Sequence, residues 1–340
     1  MSPADALDRI VYLLDRALAE GQKVRAFARA RDVVEAEGDE AIAGLHAQGK
    51  LTELAGIGPT TGKVIAEALD GRVPGYLATL ETETLIDPGE GADLRAALKG
   101  DCHTHSLWSD GGAPIEKMAR TAIALGHDYM VLTDHSPRLT VAHGLNAERL
   151  LAQLDEVAGL NEQLAPFRIL TGIEVDILED GKLDQTEELL ARLDVVVASV
   201  HSKLRMERLE MTRRMVSAVA SPHVDILGHC TGRKLVGRGR PPSVFDPEIV
   251  FAACAQFDTA LEINCRPERQ DPPDELVDLA LDWDLHFAID TDAHAPGQME
   301  WQAYGCDKAA RHGIDAVQIV NTWAADDLLA WAGSHTSQTP

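Results

Sequence analysis

Six histidines of this chain fall within a few residues of the ends of short apolar runs, and that placement constrains the fold more than any other feature. The runs are Tyr129–Thr133, Arg168–Ile173, Asp194–Val200, Asp225–Gly228, Thr259–Asn264 and His286–Asp290, with a short seventh near Gly100. Helical patterns lie between most of them, as at Ile115–Leu125, Ala147–Leu164 and Glu187–Leu193. Alternation of this kind predicts a parallel sheet covered on both faces. Seven strands over about 240 residues approach what a closed α/β barrel needs, although periodicity alone also allows an open doubly wound sheet.

Chemistry-bearing residues follow almost every run. The first junction holds His103-Thr-His105 and then Asp110; the second holds Thr133-Asp-His135. Gly172-Ile-Glu174, Ser199-Val-His201 and Gly228-His229 end the next three, and Asp290-Thr-Asp292-Ala-His294 ends the seventh. In a barrel these positions converge on the C-terminal face. His103 and His105, two apart on an extended segment, point the same way. Six imidazoles and three carboxylates exceed the roughly four to six donors that one ion takes, so the set predicts two or three divalent metals. Mixed imidazole and carboxylate donors suit Mn²⁺, Zn²⁺ or Fe²⁺ without choosing among them. The other histidines (His46, His127, His143, His223, His286, His312 and His335) read as ordinary residues, His143 lying nearest a cluster.

Charge narrows the class of partner. The 340 residues carry 31 Lys and Arg against 55 Asp and Glu, a net of −24, which argues against a protein that coats nucleic acid or a membrane surface. No apolar run approaches the roughly 18 residues of a membrane span. The N-terminal stretch MSPADALDRIVYLLDRALAEG has acids where a signal peptide has cations. Five scattered cysteines (Cys102, Cys230, Cys254, Cys265, Cys306) read as reduced thiols, so the expected setting is the cytoplasm.

The first 80 residues read differently. Leu7, Ile10, Leu14 and Leu18 recur at helical spacing, and Val24, Phe27, Ala28, Ala30, Val33 and Val34 mark a second amphipathic segment. Leu54-Ala-Gly56-Ile57-Gly58-Pro-Thr60-Thr-Gly62-Lys63-Val-Ile65 is a glycine turn opening a helix. The expected organisation is a helical module over 1–80, a linker over 81–97 containing Pro88, Gly89 and Gly91, and an α/β domain over 98–340.

The string Asp101-Cys-His103-Thr-His105-Ser-Leu-Trp-Ser-Asp110-Gly, with TDH, GIE, SVH, GH and TDAH following in order, resembles the polymerase-and-histidinol-phosphatase (PHP) superfamily, in particular the C-terminal PHP domain of bacterial family X DNA polymerases. The resemblance covers roughly residues 98–325, and all nine ligand positions of the family are filled. It implies a distorted seven-stranded (β/α) barrel with a trinuclear site. His103, His105, Glu174 and Asp292 would hold the first metal, Glu174 would bridge to a second on His201 and His229, and Asp110, His135 and His294 would hold the third. A hydroxide bridging two such ions has its pKa lowered toward neutrality and attacks a phosphate ester in line without any Ser or Cys nucleophile. Lys203, Arg205 and Arg233 are candidate clamps for the substrate phosphate, Arg233 the preferred one because Thr231-Gly-Arg233 resembles the family segment. Two departures fall near the pocket: Cys230 stands where the family has Pro, and Glu262-Ile-Asn264-Cys-Arg-Pro-Glu-Arg269-Gln-Asp271 stands for its ExNANPxRxD.

The glycine turn resembles a helix-hairpin-helix, in which Gly56, Gly58, Thr60, Gly62 and Lys63 would meet a DNA backbone. Residues 1–100 carry 11 Lys and Arg against 17 Asp and Glu, so such binding would be weak and local. A polymerase core would need on the order of two hundred more residues than the roughly thirty between hairpin and barrel, so polymerisation is excluded. The lysine that forms a Schiff base in lyase-competent relatives falls at Ala68, which argues against that activity. Three functions follow. One is a metal-dependent phosphoesterase on DNA ends, as a 3′–5′ exonuclease or 3′-phosphatase. The second is a small-molecule phosphatase of the histidinol-phosphatase type, and the third a non-catalytic DNA-binding or scaffold protein.

Overall fold

The computed structural model describes residues 1–337. The chain forms two compact units, one of Met1–Ile86 with Pro296–Gln298, the other of Asp87–Ala295 and the chain from Met299 onward.

The first unit is all helical: α1 (Pro3–Arg16), α2 (Gly21–Glu37), α3 (Asp39–Ala47), α4 (Pro59–Leu69) and α5 (Gly75–Glu83). Leu7, Ile10 and Leu14 lie fully buried on one stripe of α1 and pack with Phe27, Ala30 and Val34 of α2, Ile42 of α3 and Ile65 of α4. Ser2 caps α1 by accepting from the Asp5 amide at 3.1 Å, while the Asp5 carboxylate accepts from the Ser2 amide. Leu18 does not continue the stripe, because α1 stops at Arg16 and Leu18 is exposed with a φ of 52°. Helices α3 and α4 are joined by a turn in which Gly56 adopts a φ of 102°, a conformation that disfavours side chains. The Gly58 amide donates to Thr61 Oγ1 at 2.9 Å, and the Gly62 amide to the Gly58 carbonyl at 2.8 Å.

In the second unit the strands β1 (Gly100–Thr104), β2 (Tyr129–Leu132), β3 (Arg168–Asp176), β4 (Val195–Ser199), β5 (Ile226–Leu227), β6 (Ala260–Asn264) and β7 (Phe287–Asp290) pair in chain order, all parallel. A parallel bridge from Thr104 to Ala293, with the His105 amide donating to the Ala293 carbonyl at 2.8 Å, brings the first and last strands together. The sheet is therefore a nearly closed seven-stranded barrel, and the open doubly wound alternative falls. Its strands are buried almost throughout because helices cover them. Those helices are α6 (Ala92–Ala97), α7 (Ile115–Ala124), α8 (Ala147–Leu164), α9 (Glu187–Leu190), α10 (Arg208–Val219), α11 (Pro247–Phe257), α12 (Asp274–Asp282), α13 (Gln302–Arg311) and α14 (Ala325–Ser337).

The stretch 81–97, expected to be a linker, has structure instead. Helix α5 runs through Glu83, and from Asp87 the chain belongs to the barrel unit. A Cβ at Gly91 would stand 2.2 Å from the Cys306 carbonyl carbon of α13, so only glycine permits that approach. Its Pro and Gly residues serve a tight packing contact, which composition alone does not distinguish from flexibility.

Candidate metal centre

The nine donors expected from the sequence gather at the C-terminal mouth of the barrel. β1 carries His103 as its penultimate residue and leads to His105 and Asp110; His135 follows β2; His201 and His229 stand two residues beyond β4 and β5; Asp292 and His294 follow β7. Glu174 is not past its strand but inside β3, which runs on to Asp176. Around its carboxylate stand five imidazoles. His103 Nε2, His105 Nε2 and His135 Nδ1 lie 3.4, 3.7 and 2.8 Å from Oε2, and His201 Nε2 and His229 Nε2 lie 3.1 and 2.8 Å from Oε1. Asp110 Oδ1 is 3.4 Å from His135 Nε2 and 3.3 Å from His294 Nε2, while Asp292 Oδ1 is 3.4 Å from His105 Nε2 and 3.5 Å from His294 Nδ1.

These spacings suit divalent cations. Two ligands about 2.1 Å from one tetrahedral ion stand about 3.4 Å apart. Three sets of donor atoms lie within 4.8 Å of one another: His105, Asp110, His135 and His294; His103, His105 and Glu174; and His135, Glu174 and His201. His103 Nε2, both ring nitrogens of His105 and of His201, and Glu174 Oε2 are buried without a hydrogen-bond partner. Orphaned polar atoms of this kind are costly in a folded interior unless something else binds them.

The electrostatics point the same way. Burial opposes the charge on Glu174, yet the His201, His103 and His135 imidazoles hold its carboxyl well below the usual range. Burial likewise opposes Asp292, and Arg266, His105, His103 and Arg269 hold it well below. Although burial disfavours the cation on His103 and His135, Glu262 and Glu174 hold the first well above its ordinary value, and Glu174 and Asp110 raise the second to about 10. His105 goes the other way, pushed down by burial and by the neighbouring His294 and His135 imidazoles. The carboxylates demand positive charge in their midst, which is what divalent ions supply.

Several orienting residues carry no signal in periodicity. Glu262 on β6 is fully buried, 2.5 Å from His103 Nδ1, and also accepts from the His229 amide. Asp176 Oδ1 accepts from the His201 amide at 3.0 Å and lies 3.4 Å from His201 Nδ1. Asp134 accepts from the Ser106 amide and hydroxyl at 2.8 and 2.6 Å and from Gln153 at 2.7 Å, fixing the loop between His105 and Asp110. Arg266 and Arg269 approach Asp292 at 3.4 and 3.3 Å, and Arg266 Nη1 lies 2.9 Å from His294 Nδ1. A general rule exposes the first two: a ligating imidazole has an acceptor on its other nitrogen, so each site histidine calls for a carboxylate on a neighbouring strand.

The substrate-phosphate candidates fare differently. Lys203 and Arg205 are exposed just beyond His201. Arg233 is turned to the protein itself, its Nε donating to the Arg269 carbonyl at 3.0 Å and its Nη2 to the Gln270 carbonyl, so in this arrangement it braces a loop. In the helical unit, Gly56, Thr60 and Lys63 are exposed, but the Gly58 and Gly62 amides are engaged within the chain and Gly62 is buried near Thr52. His143 is exposed, outside the cluster.

A nearly closed barrel with these imidazoles and carboxylates converging at its mouth is a frame suited to holding divalent metal ions. The chain belongs to the PHP family, whose domain model matches residues 101–231. It is 38% identical over 251 residues to the DNA polymerase/3′-5′ exonuclease PolX of Bacillus subtilis (strain 168), a match covering 74% of this chain and 44% of that protein. It is 30% identical over 207 residues to a probable phosphatase of Thermoanaerobacter sp. (strain X514), covering 57% of this chain and 78% of that one. The chain thus spans less than half the length of the Bacillus relative. A histidinol phosphate phosphatase of Lactococcus lactis, solved with zinc, L-histidinol and phosphate, aligns over 64% of this chain and 94% of its own at 17% identity and a TM-score of 0.44. Among the described residues no helix is long and apolar enough to cross a membrane.

Proposed function

We propose that the nine donors His103, His105, Asp110, His135, Glu174, His201, His229, Asp292 and His294 hold two or three divalent ions, and that the protein hydrolyses phosphate esters at DNA ends. The observation that carries this is the ring of buried, unpartnered imidazole nitrogens around Glu174. Glu174, with imidazoles against both oxygens, would be the carboxylate shared between neighbouring ions. Ions held there supply Lewis-acid charge to the phosphoryl oxygens and acidify water. Glu262 fixes the ring of His103, Asp176 holds the His201 backbone amide, and Arg266 with Arg269 balances the charge of Asp292.

A covalent route through cysteine has no support. All five thiols are buried; Cys254 and Cys306 are pushed up to about 12, the others well above the ordinary value, by burial first. Their unpaired state suits a cytoplasmic setting.

The preference for DNA ends rests on the helical unit, whose helix α4 presents Thr60 and Lys63 near its start, and on similarity to a protein named an exonuclease. The net charge of −24 favours the second reading, a small phosphomonoester. The test loads purified protein with Mn²⁺ or Zn²⁺ and assays p-nitrophenyl phosphate, bis(p-nitrophenyl) phosphate, histidinol phosphate and 3′-recessed DNA. Degradation of DNA that drops about fivefold or more in Thr60→Glu/Lys63→Glu supports DNA ends. Turnover of histidinol phosphate alone, indifferent to that variant, supports the small molecule. Inactivity on all four with no bound metal would leave a non-catalytic binding protein.

A further inference from the structure

Met211, Met215 and Ala218 recur on one stripe of α10 and are fully buried, as a helix covering a barrel requires. Arg214 stands on the same stripe and is 1% exposed. A cation at a core position is costly unless its donors are answered. Burial depresses this guanidinium below its ordinary value, with the Asp176 and Glu179 carboxylates opposing. An apolar side chain of similar length would fill the volume without that cost, so what the arginine adds is a set of directed donors.

Among the described residues, the partners bonded to Arg214 include no carboxylate. Nε donates to the Ile177 carbonyl at 3.0 Å and Nη2 shares that acceptor, while Nη1 donates to the Ser202 carbonyl at 2.8 Å and meets Met206 Sδ at 3.4 Å. Ile177 directly follows Asp176, and Ser202 directly follows His201. One planar fork therefore ties the exit of β3 to the exit of β4. The same two segments are joined one residue earlier, where Asp176 Oδ1 accepts from the His201 amide at 3.0 Å.

Both segments bend at this point. β3 leaves in a hairpin bridged at Ile177 and Leu183. Its Gly181, at a φ of 85°, comes so close to α10 that a Cβ would stand 2.5 Å from Ser217 Cβ and 3.0 Å from the Arg214 carbonyl oxygen. After Ser202, Lys203 takes a φ of 53°, a strained conformation for a residue with a side chain, and the Met206 amide closes the turn on the Lys203 carbonyl at 3.0 Å. Arg214 holds this turn at Ser202 and at Met206.

His201 needs such a hold more than its neighbours do. Its side chain is 12% exposed, against 7% or less for the other four imidazoles around Glu174. Neither of its ring nitrogens has a hydrogen bond, so packing and bonding at the ring fix it least, and its backbone fixes it most.

We infer that Arg214 is a positioning residue of the metal centre: by binding the carbonyls that follow Asp176 and His201, its guanidinium fork holds the His201 ring against Glu174 in the place where a cation is shared. This rests on the reading of the nine donors given above and deepens it. Asp110, His135 and His294 lie on other loops, so ions held there do not depend on the fork in this way.

The experiment titrates Mn²⁺ into the metal-stripped full chain, with free Mn²⁺ read by electron paramagnetic resonance, for the wild type, Arg214→Met and Arg214→Lys. Arg214→Met keeps an unbranched stem and removes the fork; one ion should weaken about tenfold or more while the rest hold within about twofold. Arg214→Lys keeps the charge and a point donor, so it should weaken the same ion by a smaller factor, and it decides the matter where the methionine variant does not fold. Hydrolysis of p-nitrophenyl phosphate gives a second readout. The Mn²⁺ concentration for half activation rises by the factor seen in binding, and saturating Mn²⁺ brings kcat back toward the wild-type value. Wild-type affinity in both variants, equal weakening of every ion, or a lower unfolding temperature with unchanged Mn²⁺ dependence would show that Arg214 merely fills the core, and overturns the inference while the metal centre stands. A wild-type chain that binds neither Mn²⁺ nor Zn²⁺ overturns the metal centre itself, and this inference with it.

Discussion

Glu262 shows how a single residue governs the centre without being one of its nine donors. Its carboxylate sits 2.5 Å from His103 Nδ1, fully buried, and its other oxygen accepts from the His229 amide and from Asn264 Nδ2 at 3.1 Å. It sets which ring nitrogen of His103 faces Glu174. Replacing it by Gln keeps the size and removes the charge, so Glu262→Gln should weaken metal affinity about 10- to 100-fold. A chelator-competition titration, with circular dichroism to confirm the fold, measures it; unchanged affinity would show that Glu262 serves packing alone. The nine expected donor positions stood out because each ends or follows a run of strand character, and the fold brings them to one mouth. Glu262, Asp176 and Asp134 did not, since the role of a buried carboxylate, in a strand for the first two and in the loop after β2 for the third, is invisible until its partners from distant elements are known. The loop contacts of Arg233 were equally hidden: its partners at Arg269 and Gln270 are more than thirty residues away in the chain.

At the scale of elements, strands were readable from β-branched runs to within a residue or two, except β3, which runs three residues past its apolar run, and α8 matched its predicted span of Ala147–Leu164. β1 was harder, because its Gly-Asp-Cys-His-Thr sequence is chosen for the site and not for strand propensity. The stretch 81–97 was misread because Pro and Gly mark close approach as readily as freedom. That distinction is testable at Gly91. Gly91→Ala would press a methyl group into the backbone of α13 at Cys306, 2.2 Å away, and should cost about 2 kcal/mol or more. Thermal unfolding would register a drop of about 5 °C. A loss below one degree would mean that this segment is as free as a linker.

For the whole molecule, net charge and site charge pull in opposite directions. A chain of −24 repels phosphates at long range, yet its barrel mouth gathers acids and imidazoles placed so that they could hold cations and sets guanidinium groups beside them. Parallel closure makes this possible, because it brings the C-terminal ends of strands far apart in sequence to one rim. Metal content of the purified, reconstituted chain, measured by atomic emission beside Glu174→Gln, tests the central claim most directly. Two or three divalent ions per wild-type chain, with at least one lost in the variant, is the expected result. A wild-type chain that retains no ion, or a variant that retains all of them, would contradict it.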